Sequence, residues 1–184
     1  MPYYSKQFHF VVKPEKDYLL KYSCDAIFLG HAENDMRLEC FDYLLANEIN
    51  LRIGGGNFIQ WSEGRLFKQL LPEKYYDINE YHLAIQFATC SLCFFSTINR
   101  DVITYRVFEI PACKGVLLWQ RSQLVESIFE EGIEALYFST KEELLEKILW
   151  LKNNSEKRNE IAEAGYNKLR GTKNEVQDRV KNDY

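Results

Sequence analysis

Four short apolar runs, at 26–29, 92–95, 116–119 and 136–138, and the Leu51-Arg-Ile53 triplet punctuate this chain, with polar or amphipathic stretches between them. Runs this short, bounded by turn residues, suit strands buried on both faces of a sheet. After the first run, Leu38, Phe41, Leu44 and Leu45 recur at helical spacing over 35–47, with Asn34 or Asp35 available as cap. Ile78, Tyr81, Ala84, Ile85 and Ala88 repeat that pattern over 78–88, beyond a loop containing Trp61 and Pro72. Further helices are predicted near 123–130, over 141–152 and over 156–169, the last two divided by Asn153, Asn154 and Ser155. Strands alternating with helices imply a parallel sheet wound by right-handed crossovers. Ligands on such sheets bind beyond the carboxyl ends of the strands. The loops around Gly30, at 54–56 and at 101–106 all fall at such ends, placed to line one crevice.

The most informative of these loops opens the stretch Asn99-Arg-Asp-Val-Ile-Thr-Tyr-Arg-Val-Phe-Glu-Ile-Pro-Ala-Cys-Lys-Gly115. A strand, a polar loop, a short helix and another strand build an anion site, because the N–H groups and dipole at a helix start favour negative charge. Asp101 and Glu109 are separated by seven residues here, with Arg106 among them. Backbone donors, a cation and a carboxylate two turns on suit a ligand with phosphate and, behind it, hydroxyls. A salt bridge from Glu109 to Arg106 that only orders the turn is the competing structural role. Pro111 removes a helical hydrogen bond, so the helix is expected to be short or kinked after Glu109.

Tyr105-Arg-Val-Phe-Glu-Ile-Pro-Ala-Cys-Lys-Gly115 resembles the nucleotide-sugar motif of GT-B glycosyltransferases, closest to the spore-maturation protein CgeB-like branch with its Arg-x-Phe-Glu-x-x-Ala-Cys-Gly pattern. Asp101 to Glu109 reproduces the Glu-x7-Glu spacing of the group-1 transferases, with Asp in the first place. The resemblance extends to Asp25-Ala-Ile-Phe-Leu-Gly30, Leu51-Arg-Ile-Gly-Gly-Gly56 and Ile161-Ala-Glu-Ala-Gly-Tyr166, about residues 24 to 170 in all. It implies a Rossmann-like three-layer α/β/α domain with a parallel sheet, as in the C-terminal half of those enzymes. It implies Glu109 on the ribose hydroxyls, Asp101 on the donor sugar, and Arg106 with the amides of Thr104 and Tyr105 on the diphosphate. Asp101 and Arg106 are the candidate catalytic residues, since catalysis in this class stabilises the departing diphosphate. The donor substrate is then a nucleotide-diphosphate sugar, with no cofactor and no metal required.

The same resemblance places other residues at the ligand. A basic residue shortly after the first glycine contacts the diphosphate in the family; here Met36 holds that place and Arg37 follows one residue late. His31 either donates to a phosphate or acceptor or is an exposed turn residue. Gly55, within Gly54-Gly-Gly56, either lets backbone approach the ligand or simply leaves a strand. The loop 71–76 occupies the nucleobase position, where Tyr75 or Tyr76 is the stacking candidate. The family's acceptor and base come from another domain, so 1–22 is expected as an entry segment from a linker, 23–171 as the nucleotide-sugar-binding domain and 172–184 as a tail. A separate acceptor domain or partner chain is the expected companion. The alternative is a non-catalytic module that keeps the fold and binds nucleotide or protein.

Composition narrows the field further. A net charge of −4 supplies no general basic field, which disfavours nucleic-acid binding. No stretch has the apolar length of a membrane span, and the first residues lack a signal-peptide layout, so a cytoplasmic location is expected. Five cysteines scattered through apolar runs make a poor disulfide framework. Cys90-Ser-Leu-Cys93 falls on an apolar strand rather than at a helix start, so both thiols are expected in the core.

Overall fold

The computed structural model describes residues 11–98, 103–122 and 125–170. Among them, strands β1 (Cys24–His31), β2 (Leu51–Gly56), β3 (Ala88–Cys93), β4 (Leu117–Gln120) and β5 (Leu136–Phe138) form one sheet. They run in the order β2-β1-β3-β4-β5, every neighbouring pair parallel. Helices α1 (Lys16–Tyr22), α2 (Met36–Ala46), α3 (Ile78–Phe87), α4 (Arg106–Ala112), α5 (Lys141–Asn153) and α6 (Ser155–Arg170) flank the sheet, with short 3-10 turns at Ile59–Trp61, Leu66–Leu70 and Val125–Ser127. This is the expected Rossmann-like α/β architecture. Because β2 lies to one side of β1 and β3 to the other, the winding reverses between β1 and β3, which is where open sheets leave a crevice.

Period-two alternation sorts the strand residues onto two buried faces. Ile27, Leu29, Cys93, Leu117, Trp119 and Tyr137 pack with α3 and α4. Ala26, Phe28, Leu92, Leu118 and Phe138 pack with α2 and α5. The second face holds a phenylalanine cluster, in which Phe28 and Phe41 lie 5.2 Å apart and Phe94 and Phe138 5.3 Å. All five cysteines are buried and free, and burial pushes the Cys93 thiol up to about 11, so both thiols of the Cys90–Cys93 pair are core groups as expected.

Helix starts follow local chemistry. Asp35 caps α2 by accepting from the Arg37 amide at 3.0 Å, and Asp77 caps α3 through the amides of Asn79 and Glu80. Several boundaries move. β2 continues through Gly56, so the glycines sit in the strand instead of following it. β3 begins at Ala88, where the apolar pattern suggested helix, and ends before Phe94. Of the helix predicted near 123–130, the described part shows a single 3-10 turn, Val125–Ser127. Part of the expected entry segment is α1, whose Tyr18 ring stacks on Phe87 at 5.8 Å. No helix among the described residues is long and apolar enough to cross a membrane.

Candidate functional site

At the β1/β3 reversal a cleft of about 300 Å³ opens between the β1–α2 turn and the segment leading into α4. Gly30, His31, Arg37, Thr104, Tyr105, Arg106 and Glu109 line it, together with Glu33. Seven sequence-predicted residues are thus brought to one place. Asp101 lies outside the described residues. A larger groove, about 690 Å³, opens at the opposite end of the sheet beside Cys24, Ala88 and Val116. Its Lys114 is paired with Glu163 and its Asp25 with Lys152. The smaller cleft therefore has the better claim: it combines the winding reversal with converging charged groups.

The cleft's far wall is built on α4. This helix has seven residues with Pro111 inside it, so tertiary contacts must hold it in place. Arg106 reaches across the sheet to donate from Nε to the Leu29 carbonyl at 2.7 Å. Its Nη1 donates to Glu109 Oε2, one turn along. Tyr81 of α3 donates its hydroxyl to the same oxygen at 2.9 Å, and Arg106 lies 5.0 Å over the Tyr81 ring. Glu109 is 9% exposed, so its carboxylate is a buried charge paired on Oε2 by two donors. Burial raises the Tyr81 phenol well above its ordinary pKa, which keeps it a neutral donor. The salt bridge and a ligand-facing role are therefore compatible: among the described residues, Glu109 Oε1 and Arg106 Nη2 make no hydrogen bond. Thr104 Oγ1 lies 3.5 Å from Cys93 Sγ, and Tyr105 is half exposed at the entrance.

The near wall departs from expectation at Arg37. In place of a free phosphate-binding cation, the structure shows a guanidinium only 4% exposed. Nε and Nη2 grip the two oxygens of Asp35 at 2.8 Å each, Nη1 meets the His31 carbonyl at 2.7 Å, and Nη2 meets the Phe95 carbonyl at 2.6 Å. The guanidinium also sits 5.8 Å from both the Phe28 and Phe94 rings, capping the aromatic cluster. It clamps the two loops of the cleft together and has little left to offer an anion.

Glu33, not foreseen from the sequence, completes that clamp. Its Oε2 accepts from the Thr97 amide at 2.8 Å, the Thr97 hydroxyl at 3.0 Å and the Ile98 amide at 3.2 Å, and lies 3.6 Å from Arg37. Burial opposes its charge, yet hydrogen bonds from Ser96, Ile98 and Thr97 and the charge of Arg37 prevail and hold the carboxyl below the usual range. The acid-rich turn Glu33-Asn-Asp35 at a strand exit was the available signal.

Gly55 and Tyr75 lie away from this cleft. Gly55 pairs with Gly30 in the sheet at φ +126°, and a Cβ there would stand 2.0 Å from the Gly30 carbonyl oxygen. Its glycine is required by strand packing, and it does not line the cleft. Tyr75 is 81% exposed and also off the cleft, while Tyr76 packs over Gly54 and holds Lys74 4.6 Å from its ring. Among the described residues no group of three or more His, Cys, Asp or Glu side chains is placed to hold a metal ion.

No curated protein matches the chain. Among solved structures, the C-terminal domain of the group 1 glycosyl transferase LpcC from Francisella tularensis is similar, with a TM-score of 0.69 at 13% identity, over 95% of this chain and 100% of that one. HepE of Anabaena, solved with UDP and glucose, gives 0.67 at 11% identity over 98% of this chain and 54% of HepE. The T4 phage β-glucosyltransferase solved with UDP-glucose gives 0.64 at 19% identity over 87% of this chain and 46% of that enzyme. The chain thus spans about half the length of the two larger enzymes, and these likenesses establish a GT-B C-terminal domain fold. A family model described as glycosyl transferase-like matches residues 37–182, most of the sequence, and this chain belongs to that family.

Proposed function

We propose that this chain is the donor-binding domain of a GT-B glycosyltransferase and takes a nucleotide-diphosphate sugar in the β1/β3 cleft. Glu109 accepts hydrogen bonds from the ribose hydroxyls, and Arg106, with the amides of Thr104 and Tyr105, faces the diphosphate. Asp101 meets the donor sugar, and transfer to an acceptor proceeds with a second domain or chain. The observation that supports this most is the placement of a buried carboxylate and an adjoining guanidinium at the winding reversal of the sheet. As the glycosidic bond breaks, charge develops on the departing diphosphate, and preorganised donors there lower the barrier. Tyr105-Arg-Val-Phe-Glu109 and the Ala112-Cys113 that follow resemble the CgeB-like branch and support that finer assignment. UDP is the first nucleotide to try, because HepE and the T4 phage enzyme were solved with uridine nucleotides.

Calorimetric titration with UDP, GDP, ADP and dTDP tests this reading. One nucleotide is expected to saturate the chain, and Glu109→Ala to weaken it at least about tenfold, as for a lost hydrogen bond to a charged group. Equal affinity in the variant contradicts the role of Glu109; no saturable binding of any nucleotide contradicts the reading itself. A second reading, a module that binds nucleotide without transferring sugar, is favoured by one observation: Arg37 is consumed by its own loops, and Met36 supplies no cation. Release of nucleoside diphosphate from UDP-glucose in the presence of acceptor separates the two.

A further inference from the structure

Glu109 sits on a helix too short and too interrupted to fix its own side chains, so something else must aim its carboxylate. The interactions are asymmetric. Tyr81 and Arg106 both donate to Oε2, which leaves Oε1 as the oxygen not engaged by the described residues. Of those two donors, Arg106 is itself half occupied with Leu29 and 37% exposed at the side chain, whereas Tyr81 is 9% exposed and fixed on α3. The Asp77 cap and the packing of α3 on the sheet hold Tyr81 independently of the cleft. A rigid donor from a neighbouring helix is what an aimed carboxylate on a marginal helix requires.

We propose that Tyr81 is a positioning residue for nucleotide recognition: its hydroxyl pins Glu109 Oε2 so that Oε1 faces the ribose diol of the donor. The proposal rests on the donor-binding reading given above and names a residue outside the cleft lining. Removing the hydroxyl while keeping the ring leaves the Arg106 stack and the core volume in place. Glu109 then keeps one donor and gains rotational freedom, so its grip on the diol weakens while the phosphate contacts do not change.

The test compares ribo- and 2′-deoxy-nucleotides, UDP with dUDP and GDP with dGDP, on the wild-type chain, Tyr81→Phe, Glu109→Gln and the double variant. Calorimetry supplies affinities and thermal unfolding checks that each variant is folded. The expected result is that Tyr81→Phe lowers affinity for the ribonucleotide about fivefold, the value of one ordinary hydrogen bond, and weakens the deoxynucleotide, which keeps only its 3′-hydroxyl, by less. In the Glu109→Gln background the same substitution has no further effect, as required of a residue acting through another. Equal weakening of both nucleotides by Tyr81→Phe marks general loosening and overturns the proposal. So does unchanged ribose discrimination in Tyr81→Phe when Glu109→Gln abolishes it. If Glu109→Gln itself leaves the discrimination intact, or the wild-type chain binds neither pair, the donor-binding reading falls first and takes this one with it.

Discussion

Arg37 shows how far one residue's role depends on partners that sequence does not display. Its position after Gly30 suggested a phosphate contact, but Phe95, 58 residues away, supplies the carbonyl that helps bury it. Arg37→Met leaves buried Glu33 and half-buried Asp35 without their cation and should cost about 3 kcal/mol in denaturant unfolding. Arg37→Lys keeps the charge but cannot fork onto both Asp35 oxygens, so it should recover only part of that loss. A stable Arg37→Lys chain with weakened nucleotide affinity would instead return Arg37 to the ligand. Glu109 was legible for the opposite reason, since its short-range pattern with Arg106 already names the pair that the structure joins. Glycine runs can serve a ligand or a strand, and at Gly55 the pairing with Gly30 adds a packing requirement that sequence does not display.

Elements were legible where local pattern decides them and blurred where tertiary contact does. β5 and α5 begin where apolar periodicity placed them, with Thr140 accepting from the Glu143 amide as cap. β3 was misjudged at both ends, since Ala88 suits a helix and Phe94 a strand until the pairing of Cys24 with Ala88 settles the register. The junction between the β1–α2 turn and residues 96–98 was invisible, because Glu33 meets Thr97 across 64 positions. That junction has a pH signature. Glu33 has its carboxyl pKa depressed in the fold, so its contribution is complete above the unfolded value near 4.3 and is lost as pH falls through the lower, folded value. Glu33→Gln should cost about 2 kcal/mol at pH 7, measured by urea unfolding, and the gap from wild type should close as pH drops below about 4. A gap that stays constant down to pH 2 would show that the carboxylate's charge is not what holds the loops.

At the scale of the molecule, alternating apolar runs were enough to imply the parallel sheet, and the sheet's reversal between β1 and β3 then locates the cleft. Strand order itself was beyond the sequence, because nothing local says that β3 crosses to the far side of β1. The family and the fold agree on a glycosyl transferase-like domain, and the winding reversal beside Arg106 and Glu109 distinguishes its cleft from the larger groove at the other end. The most direct test of where the ligand binds is a titration of the ¹⁵N-labelled chain with UDP, followed by amide chemical shifts. Saturable changes at Gly30, His31, Thr104, Arg106 and Glu109, with Leu19, Gln86 and Arg158 of the opposite groove unmoved, are the predicted result. Changes centred on Leu19, Gln86 and Arg158 instead, or none anywhere, would contradict a nucleotide site at the β1/β3 cleft.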